Sequence, residues 1–196
     1  MFRLGLTGSI GSGKSTTAGF FRQAGIRVHD ADATVHRLYA GPAAPLIEQA
    51  FPGTTRDGVV DRPALSAILR AAPDRFPELE AIVHPLVQAA EREALALAEK
   101  AGQRLVVLDI PLLFETRAEH RCDAVLVVHV AAEEQARRVL ARPGMNEALF
   151  HAILARQMPS AEKCRRAHAM IDTSFGLEAA RQDVQALIRA LASTVA

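Results

Sequence analysis

One short loop has residue types and spacing suited to gripping phosphate. Gly8, Gly13, Lys14 and Ser15 stand as Gly-x4-Gly-Lys-Ser inside "GLTGSIGSGKST", Gly5 to Thr16. Glycines let a chain turn backbone N–H groups inward around anionic oxygens, and a following helix adds the partial positive charge of its N-terminus. In such a loop Lys14 reaches the β- and γ-phosphates and the Ser15 hydroxyl ligates Mg²⁺. Gly8, Ser9, Ile10, Gly11, Ser12, Gly13, Lys14, Ser15 and Thr16 are therefore the expected nucleoside triphosphate site.

Other residues bear on what happens to that triphosphate. A guanine-reading NKxD motif is missing, because Asn146 is the only asparagine, and a GTPase switch is excluded. Asp30-Ala31-Asp32 follows a second strand-like segment. A carboxylate close to phosphates is electrostatically costly unless it has a task, and accepting a proton from an alcohol is such a task. Either aspartate could instead cap the next helix. The two can divide these roles, with Asp32 favoured as the base. Arg138 and Arg142 share a helix face at i, i+4 spacing, and with Arg156 could close over the phosphates as a lid; a solvated helix face is the competing reading. Asp109 ends an apolar strand and could hold Mg²⁺ there through water, or simply cap the strand end. The seven histidines show no metal-ligand spacing.

These groups need a scaffold, and the pattern supplies one. "FRLGLTG", "IRVHD", "RLVVLDI", "DAVLVVHV" and "AMIDT" read as strands, the third and fourth as the continuous apolar runs of strands buried on both faces. Helical segments separate them, which predicts parallel strands joined by right-handed crossovers, with ligands beyond their carboxyl ends. Residues 32–101 look different: mostly helical, broken at "GPAAP", "FPGTTRDG" and "AAPDRFP", and without a convincing strand. The expected division is a nucleotide-binding core of 1–31, 102–130 and 168–196, an insertion of 32–101, and a lid region of 131–167.

Composition limits the alternatives. The 196 residues are 49% hydrophobic and 23% charged, with a net charge of +1, so nothing calls for nucleic acid or an anionic membrane. Trp is absent and Tyr39 is the single tyrosine, which leaves no stacking platform for single strands. Cys122 and Cys164 form no CxxC. No signal-like segment or run of about 18 apolar residues is present, so a cytoplasmic protein is expected.

Taken together, these segments resemble the dephospho-CoA kinase family nearly end to end. "GLTGSIGSGKST" is similar to the family's opening block, with Ser9 replacing a glycine. "VHDADATVHRL", "DGVVDRPAL", "LEAIVHPLV", "DIPLLFE", the spacing Gln135-x2-Arg138-x3-Arg142, "AILARQM" and "IDT" resemble further blocks. The resemblance implies a P-loop NTPase fold: three α/β/α layers, a five-stranded parallel sheet, a helical acceptor-binding insertion and a helical lid. It implies transfer of the γ-phosphoryl of ATP, as its Mg²⁺ complex, to the ribose 3′-hydroxyl of dephospho-CoA. Asp32 would be the base, Lys14 and Arg138 would stabilise the transferring group, and Arg142 would join the ATP site. Asp32, His36, His84 and Leu113 would face the acceptor, while Ser15 and Asp109 would serve the metal. His168 stands where the family usually has Asp.

Overall fold

A computed structural model describes residues 1–194, which divide into two compact units, 1–29 with 98–194, and 30–97. The first unit is built on five strands: β1 (Phe2–Gly8), β2 (Arg27–Asp30), β5 (Leu105–Asp109), β6 (Ala124–His129) and β7 (Ala169–Asp172), in the order β2-β5-β1-β6-β7. β1 runs parallel to β5 and β6, and β6 to β7, with Leu4 opposite Val107 and Leu6 opposite Leu126.

Period-two alternation decides which residues face which layer. Leu4, Leu6, Leu105, Val107, Leu126, Val128 and Ile171 pack on one face with Ala18 and Phe21 of α1 (Lys14–Gln23) and with Ala180 and Val184 of α9 (Leu177–Thr194). The intervening residues Val106, Leu108, Val125 and Val127 are equally buried, as expected for strands covered on both sides. The opposite face meets α8 (Ser160–Arg166). Gly5 faces that side; a Cβ there would lie 2.7 Å from Cys122 Sγ and 2.8 Å from Leu113 Cδ1. The fold is the expected three-layer α/β/α arrangement on a parallel sheet.

The helical unit holds α2 (Ala31–Tyr39), α3 (Ala43–Ala50), α4 (Arg62–Ala71) and most of α5 (Phe76–Lys100). Leu38, Ile47, Phe51, Leu65, Leu69 and Val83 form its own core, and the Arg75 guanidinium sits 4.3 Å over the Phe51 ring. It also contains strands, contrary to the sequence reading: β3 (Thr55–Arg56) and β4 (Val59–Val60) pair antiparallel around Asp57-Gly58. Both turn residues have positive φ, 51° and 76°, the geometry that an Asp-Gly hairpin turn demands. Glu48 accepts from Gly53 N, Thr54 N and Thr55 Oγ1, tying the hairpin to α3; these donors hold its carboxyl below the ordinary range. Among the described residues no helix is long and apolar enough to cross a membrane.

Candidate active site

The loop between β1 and α1 is shaped by glycines that have no room to be anything else. Gly11 and Gly13 have φ of 77° and 90°, which a side chain strains. A Cβ on Gly8 would lie 2.6 Å from the Val128 carbonyl oxygen, and one on Gly11 2.6 Å from Val139 Cγ2. Gly13 is the N-cap of α1, no side chain caps the helix, and its first turn carries no acid. The first-turn N–H groups and the helix dipole are thus available to an anion. Ser12 Oγ is buried without a partner, and Ser15 and Thr16 are exposed. That set fits phosphate.

Lys14 Nζ lies 2.5 Å from Asp109 Oδ1, with the two side chains 16% and 4% exposed. β1 and β5 are adjacent strands with Leu6 opposite Asp109, so the sheet register brings this pair together. A buried lysine and carboxylate compensate each other's desolvation.

Beside the loop lies a pocket of about 340 Å³ lined by Gly11, Gly13, Thr16, Thr17 and Phe20, by Glu134, Arg137, Arg138 and Arg142, and by Thr173, Gly176, Leu177 and Ala180. Its volume is in the range of small-ligand sites. Arg138, on α6 (Ala132–Leu140), is anchored in the wall: Nε donates to Glu134 Oε1 at 2.7 Å, and Nη1 and Nη2 to Thr173 Oγ1 and O at 2.9 Å. The Thr173 hydroxyl in turn donates to the Ser12 carbonyl at 2.8 Å. Hydrogen bonds from Arg137 and then Arg138 hold the Glu134 carboxyl down at about 2. Arg142 lines the same pocket with an exposed side chain, and Arg156 is exposed. The expected shared helix face is therefore absent: Arg138 is anchored on α6, while Arg142 lies beyond its end at Leu140.

Asp30 is the N-cap of α2, its Oδ1 accepting from Ala33 N at 2.9 Å. That leaves Asp32 in the first turn, exposed, and His36 exposed one turn on. His84 is exposed on α5, just before Pro85 inside that helix. Leu113 is fully buried against Gly5 and packs the core behind the segment after β5.

Thr173, Gln135 and Gln157 were not singled out as site residues from sequence, although each touches the phosphate loop. Gln135 Nε2 donates to the Ile10 carbonyl at 2.7 Å, and Ile10 N donates to Gln157 Oε1 at 3.0 Å. His168 has a structural role: its Nδ1 accepts from Val125 N at 3.1 Å near the start of β6, the strand end opposite the phosphate loop. An aspartate could accept the same bond.

A parallel sheet with a complete phosphate loop at its carboxyl edge and an arginine-walled pocket beside it defines a phosphate-loop nucleotide-binding enzyme. The family model described as dephospho-CoA kinase matches residues 2–178. The dephospho-CoA kinase of Mesorhizobium japonicum is 57% identical over 188 residues, covering 96% of this chain and 95% of the relative. The crystal structure of TT1252 from Thermus thermophilus superposes with a TM-score of 0.85 at 37% identity, covering 97% of each chain. Dephospho-CoA kinase from Campylobacter jejuni shares the fold, with a TM-score of 0.67 at 22% identity over 95% of each chain. The chain belongs to the dephospho-CoA kinase family.

Proposed function

We propose that the chain, acting in the cytoplasm, transfers the γ-phosphoryl of ATP to the ribose 3′-hydroxyl of dephospho-CoA, giving coenzyme A and ADP. The observation that carries this reading is a complete phosphate loop in a chain matched to the family over residues 2–178. The first-turn N–H groups of α1 and Lys14 bind the β- and γ-phosphates, Lys14 leaving Asp109 to do so. The Asp109 carboxylate and the Ser15 hydroxyl are the hard oxygen donors that suit Mg²⁺. When bound with ATP, that ion neutralises charge on the β- and γ-oxygens.

Asp32 orients the acceptor hydroxyl and takes its proton as the oxygen attacks phosphorus in line with the departing ADP. Asp30 supports this division by occupying the cap position itself. Arg142, exposed on the pocket rim, moves onto the transferring phosphoryl, while Arg138 serves it from a fixed position in the wall. Closure within the lid region 131–167, in the part beyond the Arg138 anchor, excludes water, a rival acceptor. Residues 32–101 bind the acceptor, with His36 and His84 contacting it.

The test is ADP release from Mg·ATP with dephospho-CoA or a panel of nucleoside monophosphates. Stimulation by dephospho-CoA alone, with product heavier by one phosphoryl, is expected. Stimulation by a monophosphate would discard both the acceptor and the base assigned to Asp32.

A further inference from the structure

Ile10 lies in the phosphate loop between residues that favour mobility, with Gly8 before it and Gly11 and Gly13 after it. Its own peptide groups are nevertheless held on both sides. Its N–H donates to Gln157 Oε1 and its C=O accepts from Gln135 Nε2. The roles of the two amides are fixed by the backbone they meet: an N–H needs an acceptor and a carbonyl needs a donor. Gln157 must therefore present its oxygen and Gln135 its nitrogen.

The two glutamines flank the segment that carries the site arginines. Gln135 is on α6, three residues before Arg138. Gln157 follows α7 (Glu147–Leu154) and comes directly after Arg156. Neither is loosely placed. The α6 backbone at Gln135 packs on Gly11, whose Cβ would lie 3.2 Å from Gln135 O. The residue after Gln157, Met158, donates its N–H to Glu115 Oε1 at 2.8 Å, and Glu115 pairs with the wholly buried Lys163 of α8 at 2.9 Å. Burial pushes the Glu115 carboxyl up, but Lys163 and the Met158 N–H outweigh it and hold the group below its ordinary value. The anchor behind Gln157 is thus a buried ion pair.

We propose that Gln135 and Gln157 are positioning residues for phosphoryl transfer. They clamp the Ile10 peptide from the two ends of the arginine-bearing segment, so that the loop is held in its phosphate-binding shape. This rests on the nucleotide reading above. A glycine-rich loop loses much conformational freedom when it orders around phosphate; a clamp meets that cost during folding rather than at binding.

The test uses the polarity of the clamp. Gln157→Glu keeps an acceptor for the Ile10 N–H. Gln135→Glu removes the donor and sets a carboxylate against the Ile10 carbonyl. Both add the same charge beside the same peptide, so charge alone cannot separate them. Dissociation constants for ATP and ADP are measured by calorimetry, with kcat and KM for ATP at saturating acceptor. Gln157→Ala and Gln135→Glu are expected to weaken nucleotide binding about five- to tenfold, the size of one lost hydrogen bond. Gln157→Glu should recover most of the loss seen in Gln157→Ala. Hydrogen exchange in the folded variants gives a second readout: the peptide spanning Ile10 should exchange faster in Gln157→Ala while β1 stays protected. Equal effects of the two Glu variants, or an unchanged loop in Gln157→Ala, would overturn the clamp. Absence of ATP binding by the unaltered protein would instead remove the nucleotide reading beneath it.

Discussion

In the sheet unit, a Cβ on Gly11 or Gly13 would run into Val139 or Thr173; in the helical unit, Gly53 and Gly58, also at positive φ, would meet nothing within 4 Å. The contrast extends beyond glycine. The phosphate loop is held by Gln135, Gln157 and Thr173, residues more than 120 positions away in the chain. The β3–β4 hairpin is held by Glu48, five to seven positions away. Asp32, His36 and His84 stand exposed on helices whose caps and cores are local. A triphosphate site benefits from donors fixed in advance, because none then has to reorganise as charge develops. On the proposed reading, residues that meet a large acceptor wait in the open, nucleotide grip belongs to the sheet unit, and acceptor chemistry belongs to the helical one.

The strongest way to break this contrast is to remove Lys14. Lys14→Ala should lower turnover by about 10²–10³-fold, as for loss of a principal donor to the transferring group. It should also destabilise the ATP-free protein by about 3 kcal/mol, because Asp109 loses a buried cation. Turnover assays and urea unfolding measure the two effects; a loss of activity without a loss of stability would mean the Lys14–Asp109 pair carries no weight.

Matched glycine substitutions sharpen it. Gly13→Ala combines φ of 90° with a Cβ 3.1 Å from Thr173 Cγ2, and is expected to cost about 2 kcal/mol and weaken ATP binding at least ~10-fold. Gly58→Ala shares the positive φ but meets open space. About 1 kcal/mol of stability should go, with ATP affinity unchanged. Similar losses of ATP affinity in both would erase the distinction.

The smallest effect is a pH dependence. Glu134 is lowered from an ordinary 4.5 to about 2. A depressed carboxyl stabilises the fold in full above the ordinary value and loses that contribution as pH falls toward 2. Melting temperature should therefore fall more steeply from pH 5 to 2 in the unaltered protein than in Glu134→Gln, which has no such titration. Parallel curves would mean that the bonds from Arg137 and Arg138 do not hold the Glu134 carboxyl down.

Much of this architecture could be read in advance because its causes are local. β1 followed from alternation and β5 and β6 from apolar runs, and the N-cap of α7 is Asn146, which accepts from Leu149 N as its residue type suggests. Gly25 and Gly102 ended helices at positive φ. The phosphate loop was legible for the same reason: its glycines and first helical turn are contiguous. The hairpin escaped because each strand is two residues long, too short for alternation to register, although Asp-Gly was a usable signal. α8 was passed over as a helix of seven residues. The burial of Leu113 was not legible, because a motif match gives identity without burial. Gln135, Gln157 and Thr173 stood inside family-like segments, but nothing local gave their role, since each acts on backbone far away in sequence.

The most direct test of the proposed base is Asp32→Asn, assayed for ATP binding by calorimetry and for acceptor-dependent ADP release on the same preparation. The predicted result is an ATP dissociation constant within about twofold of the unaltered protein and turnover lower by about 10²-fold or more. Turnover left intact would contradict Asp32 as the base; ATP affinity falling in step with turnover would contradict the assignment of nucleotide grip to the sheet unit.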